Sequence, residues 1–94
     1  MRTELIKGTF TSVDLVQVFG ERCQTIARYL NLSTEELFED AIKLAQKCDK
    51  ERKEAVAAGQ ADKLPILHGV PMSVKDCINQ KGCLSTVGTA FLCE

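Results

Sequence analysis

The side chains able to do chemistry in this chain lie mostly in its last third, and Lys75, which closes an apolar run and is followed at once by Asp76, is the first to weigh. A lysine acts as a base only when neutral. From an ordinary pKa near 10.4 that costs about 4.6 kcal/mol at pH 7, so burial or neighbouring donors must supply the shift. By pattern alone Lys75 reads as a surface lysine where a strand reaches solvent, and an exposed Lys75 cannot be a general base. Ser73 stands two positions earlier, so on a strand its hydroxyl and the amine project from one face. A Ser-Lys pair can serve acyl transfer, the lysine taking the hydroxyl proton, but one such spacing suits a structural hydroxyl at a strand end equally well. His68 has no Ser or Cys at a telling spacing and reads as a hydrogen-bonded strand residue or a surface ring. Ser85 and Thr86, between Gly82 and Gly88, read as turn or backbone-capping hydroxyls. The five cysteines, at 23, 48, 77, 83 and 93, include no C-x-x-C pair and have only His68 to join them, so neither a zinc site nor any other metal site is expected. They read as reduced thiols packed as small hydrophobes, not as a disulfide framework or a catalytic thiolate.

The elements that must position these groups start with Thr11-Ser12-Val13-Asp14, a hydroxyl followed three residues later by a carboxylate, which predicts a helix start. Leu15, Phe19, Cys23, Ile26 and Leu30 then follow at spacings of 4, 4, 3 and 4, one apolar stripe at helical period. Gly20 inside it costs about 1 kcal/mol relative to Ala. Ser33-Thr34-Glu35-Glu36 repeats the capping pattern, and Leu37, Phe38, Ala41, Ile42, Leu44, Ala45 and Cys48 draw a second stripe. Two helices joined by a tight Asn31-Leu32 connection are expected, with Ser12 and Ser33 used as helix-start residues and the second helix ending before Gly59. Glu39 with Lys43 and Asp49 with Lys53 are i,i+4 pairs in the favoured order. The mixed-sign stretch 47–54 reads as a solvated helix face.

Beyond a small, polar stretch at 59–63, Leu64-Pro65 opens a segment of strand texture, with Ile66, Leu67, Val70, Met72 and Val74. Its near-continuous apolar character suits a strand covered on both faces, while Pro71, lacking an amide donor, implies an edge or irregular pairing. One strand cannot satisfy its own ladder and a two-stranded ribbon is marginal in water, so the missing strands are expected from the rest of a longer protein or from a partner chain.

Composition narrows the classes further. The chain is 45% hydrophobic and 27% charged, an ordinary balance for a folded domain. Its 94 residues suffice for one small domain with a marginal core, which must be aliphatic because Trp is absent. Twelve Lys and Arg against thirteen Asp and Glu leave a net charge of −1, so no nucleic-acid partner and no anionic-membrane partner is expected. No apolar run approaches the roughly 18–20 residues of a membrane span, and Met-Arg-Thr-Glu leads into no signal-peptide core. An intracellular, cytoplasmic protein is therefore expected, although a longer form could associate with a membrane through other segments.

The segment LPILHGVPMSVKDCINQKGCLSTVG, residues 64–88, resembles the amidase signature family. That family carries Gly-Val-Pro, a small residue, Lys-Asp or Lys-Glu, a Lys-Gly or Val-Gly turn, and Ser/Thr-x-Gly. KGTFTSVDLV resembles the start of the family's first helix and LFEDAIKLAQKCDKER its alanine-and-aspartate helix, so the likeness covers about residues 8–90. Within the family, Lys75-Asp76-Cys77 and the LSTEELFED insertion look nearest to the fatty acid amide hydrolases of eukaryotes. The resemblance implies an α/β fold with a mixed sheet, of which this chain is the N-terminal piece: a partial amidase domain over 1–94, with a helical hairpin at 8–58 and a strand and turn at 64–90 carrying the lysine motif. It further implies hydrolysis of a linear amide through an acyl-enzyme, without metal or cofactor, by a Ser, cis-Ser, Lys triad in which Lys75 takes the lysine's place. The Gly-Gly-Ser-Ser-Gly segment with the bridging serine, the nucleophile and the oxyanion-hole donors are not in this sequence. These 94 residues alone are accordingly expected to be inactive, with Lys75 solvated and protonated. Two alternatives stand beside this reading: a non-catalytic remnant stabilised by a partner chain, and a small helical interaction module.

Overall fold

The computed structural model describes residues 1–89, so the last residue of the expected 64–90 segment, Ala90, and the Phe91-Leu92-Cys93-Glu94 end lie outside it. The chain starts with a short helix that the sequence pattern does not announce, α1, Arg2–Lys7, with Leu5 buried. Gly8 closes it at φ 75°, while its amide and that of Thr9 reach back to the carbonyls of Leu5 and Glu4.

The second helix, α2, Ser12–Arg22, starts where the capping pattern places it. Thr11 Oγ1 accepts from the Asp14 amide at 3.1 Å, and the Asp14 carboxylate accepts from the Thr11 amide at 2.7 Å. The backbone hydrogen bond from Thr11, helped by its hydroxyl, holds the Asp14 carboxyl below the usual range. A π-helical turn at Cys23–Ala27 continues the helix, with Thr25 Oγ1 bonding back to the Glu21 carbonyl at 2.9 Å. Asn31 then takes the left-handed conformation at φ 52°, its amide on Arg28 and the Leu32 amide on Ala27, which caps the exposed carbonyls.

The third helix, α3, Phe38–Ala57, starts later than expected. The Ser33 to Glu36 capping box does not form, because Arg28 holds the Glu36 carboxylate through both oxygens, at 3.2 and 2.6 Å, and the Ser33 hydroxyl donates to Glu36 instead of accepting from an amide. The connection is thus an eight-residue bend, 30–37, rather than the Asn31-Leu32 turn. Gly59 ends α3 as expected: at φ 68° its amide reaches Val56 and the Gln60 amide reaches Ala55. A single 3-10 turn, Ala61–Lys63, follows.

α2 and α3 pack against each other through small residues, one position away from the apolar stripe of α2. Ser12, Val16 and Gly20 are the buried positions of α2, whereas Phe19, Ile26 and Leu30 are exposed. Gly20 has a packing reason: a Cβ there would stand 3.2 and 3.3 Å from ring carbons of Phe38. On α3 the buried residues are Ala45, Asp49 and Arg52, so the stretch 47–54 is solvated at Lys47, Lys50, Lys53 and Glu54, as expected, but not at Asp49 and Arg52. Asp49 pairs with Arg52 at 2.8 Å rather than with Lys53, and accepts from the amides of Ser12 at 2.8 Å and Val13 at 3.2 Å. Arg52 also donates to the Ser12 hydroxyl. Lys43 lies 3.4 Å from Asp40, three residues before it, rather than pairing with Glu39.

The expected strand is not formed. Among the described residues there is no strand at all, and 64–89 run through turns and irregular backbone. The amides of His68 and Val70 close local turns on Pro65 and Leu67, Pro65 and Pro71 offer no donor, and Ile66, Leu67, Met72 and Val74 remain exposed. An unpaired strand leaves its whole ladder unsatisfied, so local turns win where no second strand is at hand. Among the described residues the regular structure is therefore helical, and the expected α/β sheet is not shown by them. Gly69 anchors this segment at φ 77°, where a Cβ would overlap Ser12 Oγ and lie 2.7 Å from Arg52 Nη2.

This packing makes two predictions about stability. Gly69→Ala combines a left-handed backbone with that overlap and is expected to destabilise the chain by about 2–4 kcal/mol in urea unfolding; an unchanged midpoint refutes the close approach. Burial alone raises the Asp49 carboxyl, but the amide and hydroxyl of Ser12, the Val13 amide and the Arg52 charge outweigh it and bring it below the ordinary value. A depressed carboxyl contributes stability in full above its unfolded pKa and loses it as pH falls through the folded one, so stability should decline below about pH 4. Asp49→Asn should cost about 3 kcal/mol at neutral pH and flatten that acid decline; a variant with the parent's acid limb contradicts the assignment.

Candidate functional site

Lys75 begins a turn in which the Ile78 amide bonds to the Lys75 carbonyl at 2.9 Å, and its side chain is exposed. Ser73 is exposed too, in irregular backbone, so the same-face alternation that a strand would impose on Ser73 and Lys75 is absent.

The hydrogen-bonded constellation beside Lys75 is built on Asp76. The Ser85 hydroxyl donates to the Asp76 carbonyl at 2.6 Å, while the Thr86 amide and hydroxyl each donate to a carboxylate oxygen of Asp76 at 3.3 Å. The Ser85 hydroxyl thus caps a backbone carbonyl, as expected, whereas the Thr86 hydroxyl meets a side-chain carboxylate, and the residue both meet was not legible in the sequence. No helical or strand spacing relates 76 to 85–86. The available signal was Lys81-Gly82: Gly82 at φ 86° and the Cys83 amide on the Gln80 carbonyl at 3.1 Å turn the chain back on itself.

The far side of this loop docks on the bend before α3. The Leu84 amide donates to Glu35 at 3.2 Å. A hydrogen bond to Glu35, with desolvation and the charges of Glu35 and Asp40 adding to it, pushes the Cys83 thiol above its ordinary value. Such a thiol is poorly suited to attack a substrate, since the thiolate is the nucleophile.

His68 is half-buried, and it is hydrogen-bonded as expected though not in a strand: its Nε2 lies 3.1 Å from the Cys48 carbonyl and 3.7 Å from Glu51. With the Cys48 thiol these groups form a donor cluster that cysteine spacing did not disclose, because the ligand types are mixed and lie twenty residues apart. A carbonyl only accepts, so Nε2 carries the proton in that bond and has no lone pair for a metal there. The cluster is a hydrogen-bonded corner holding the loop to α3. Among the described residues no helix is long and apolar enough to cross a membrane.

Comparison with known proteins covers nearly the whole chain. The family model described as Amidase matches residues 14–94. A glutamyl-tRNA(Gln) amidotransferase subunit of Renibacterium salmoninarum is 33% identical over 92 residues, 98% of this chain and 16% of that protein. An amidase of Gibberella moniliformis is 30% identical over 89 residues, 94% of this chain and 16% of its own length. Indoleacetamide hydrolase of Bradyrhizobium diazoefficiens is 28% identical over 75 residues, 80% of this chain and 13% of its own length. The chain therefore spans 13% to 16% of the length of these relatives. No solved structure matches it.

The thiol geometry predicts an order of reactivity. Cys77 is exposed, whereas Cys83 is half-buried with its thiol pushed up by the Glu35 carboxylate, so iodoacetamide at mildly alkaline pH should label Cys77 before Cys83 by peptide mass mapping. Glu35→Gln should speed labelling of Cys83, and equal rates in parent and variant would exclude the Glu35 contact.

Proposed function

This chain belongs to the amidase family, and on that premise we propose that it is the N-terminal part of an amide hydrolase in which Lys75 carries the proton. The observation that carries this reading is the family match over 14–94, which includes Gly69-Val70-Pro71 and Lys75-Asp76. The other groups of a Ser, cis-Ser, Lys triad are proposed to lie outside these residues. Neutral Lys75 would draw a proton through the bridging serine as the nucleophilic serine attacks the amide carbonyl. It would return that proton to the departing amine, and water would then release the acyl group. No cofactor or metal enters this scheme.

The exposure of Lys75 fits a site completed by further chain. A solvated lysine stays charged at neutral pH, so the covering structure must remove water from the amine before it can accept a proton. The same covering would pair residues 64–74 as a strand and bury Ile66, Leu67, Met72 and Val74, restoring the α/β sheet that this piece cannot build alone. We propose a linear carboxylic amide as substrate. A fatty acyl group is supported by Lys75-Asp76-Cys77 and the 32–40 insertion alone, since the relatives named above comprise an amidase, an indoleacetamide hydrolase and part of an amidotransferase.

The test is ammonia release from primary amides of increasing acyl length by the natural protein that carries this segment. Lys75→Ala should lower turnover by about 10²–10⁴-fold. Lys75→Arg should not rescue it, because a guanidinium does not give up its proton near neutral pH. Near-parent turnover in either variant removes Lys75 from the mechanism.

A further inference from the structure

We propose that Asp76 is a positioning residue for Lys75, acting through a clamp on Ser85 and Thr86; this rests on the reading of Lys75 as the proton carrier. Three hydrogen bonds converge on one residue. The Asp76 carbonyl takes the Ser85 hydroxyl at 2.6 Å, and its two carboxylate oxygens take the Thr86 amide and hydroxyl, each at 3.3 Å. The preceding carbonyl, that of Lys75, takes the Ile78 amide at 2.9 Å. The peptide planes on both sides of the Asp76 Cα are therefore tied, and with them the direction in which Lys75 leaves the backbone. The lysine stem is long and flexible, so fixing its root is the local means of limiting where the amine can reach.

The clamp has a second consequence. A carboxylate next in sequence to a lysine is a ready counter-charge, and a nearby carboxylate favours the ammonium form. Here both Asp76 oxygens are turned to Thr86, and among the described residues no ion pair joins Asp76 to Lys75. Asp76 thus holds the turn without becoming the lysine's counter-ion. The clamp needs acceptor atoms rather than charge, which separates it from an electrostatic role. Ser85 and Thr86 are brought to Asp76 by the Lys81-Gly82 reversal and steadied by Leu84 on Glu35, so the support runs from the bend before α3 to the lysine.

The experiment compares Asp76→Ala and Asp76→Asn in the natural protein, reading amide hydrogen exchange at Thr86 by mass spectrometry alongside kcat and KM. Asp76→Ala should speed exchange at Thr86 and lower kcat by about ten- to hundredfold, the scale of a small misplacement of a catalytic group, with KM within about twofold of the parent. Asp76→Asn keeps an acceptor and should stay near the parent in both readouts. Unchanged exchange in Asp76→Ala overturns the clamp, and faster exchange with undiminished kcat overturns the positioning role. If Asp76→Ala does not fold, the Ser85→Ala, Thr86→Val double variant removes the same hydroxyls from the other side, and full kcat there overturns the proposal. A parent that hydrolyses no amide while Thr86 remains protected defeats the Lys75 reading and the positioning role with it, and leaves the clamp as a separate structural result.

Discussion

The Asp49–Arg52 pair is the constraint on which the rest of the structure depends. Both side chains are nearly excluded from water, at 12% and 8% exposure, and each carries more than the other's charge. Asp49 satisfies the first amides of α2, those of Ser12 and Val13, doing from α3 what an N-terminal cap does from within a helix. Arg52 adds the Ser12 hydroxyl and stands against Gly69. One ion pair thereby joins two helices and the loop that leads to Lys75. Removing either partner leaves a buried charge without compensation, whereas the pair with its amide donors is satisfied.

The few apolar side chains buried among the described residues make that arrangement necessary. Leu5, Val16 and Ala45 are the buried apolar residues among those described, too small a set to fix the registry of α2 on α3 by shape alone. Small residues at Ser12, Gly20 and Ala45 let the helices approach, and the charges fix where they meet. Larger apolar side chains stand exposed elsewhere: Phe19 on α2, Ile26 and Leu30 in and after the π-helical turn that continues it, and Ile66, Leu67, Met72 and Val74 around and after Gly69. The chain matches a relative almost end to end yet spans 16% of that relative's length.

For the chemistry, this divides the labour. The helices hold the root of the loop at Gly69 and His68, and the hydrogen bonds of Ser85 and Thr86 to Asp76 hold the turn at Lys75. Lys75 and the clamp beside it thus lie together in one short stretch, 75–86.

Legibility in the sequence followed the range of the interaction. Thr11 with Asp14 and the stop at Gly59 could be read directly, because a cap is decided within a few residues of backbone. The lysine motif was legible as a resemblance, since its order of Gly, Pro, Lys and Asp is itself local. The same rules failed at Ser33 to Glu36, where Arg28, eight residues away, took the carboxylate the cap required. They failed again at 47–54, where a pattern that looks solvated by charge count holds the most important buried pair. The apolar stripe of α2 is helical, as its period requires, yet it does not face α3, because periodicity reports a face without saying what covers it. Strand texture at 64–74 likewise states a preference that only paired strands can realise, and here turns replace it. Sequence by itself therefore determined where the capped helix starts and the long one stops, the family and the position of Lys75. Tertiary structure alone decided which carboxylate met which distant donor: Glu36 and Arg28 lie 8 residues apart, Asp49 and Ser12 37, and Glu35 and Leu84 49, and nothing short of the fold brings them within hydrogen-bond reach.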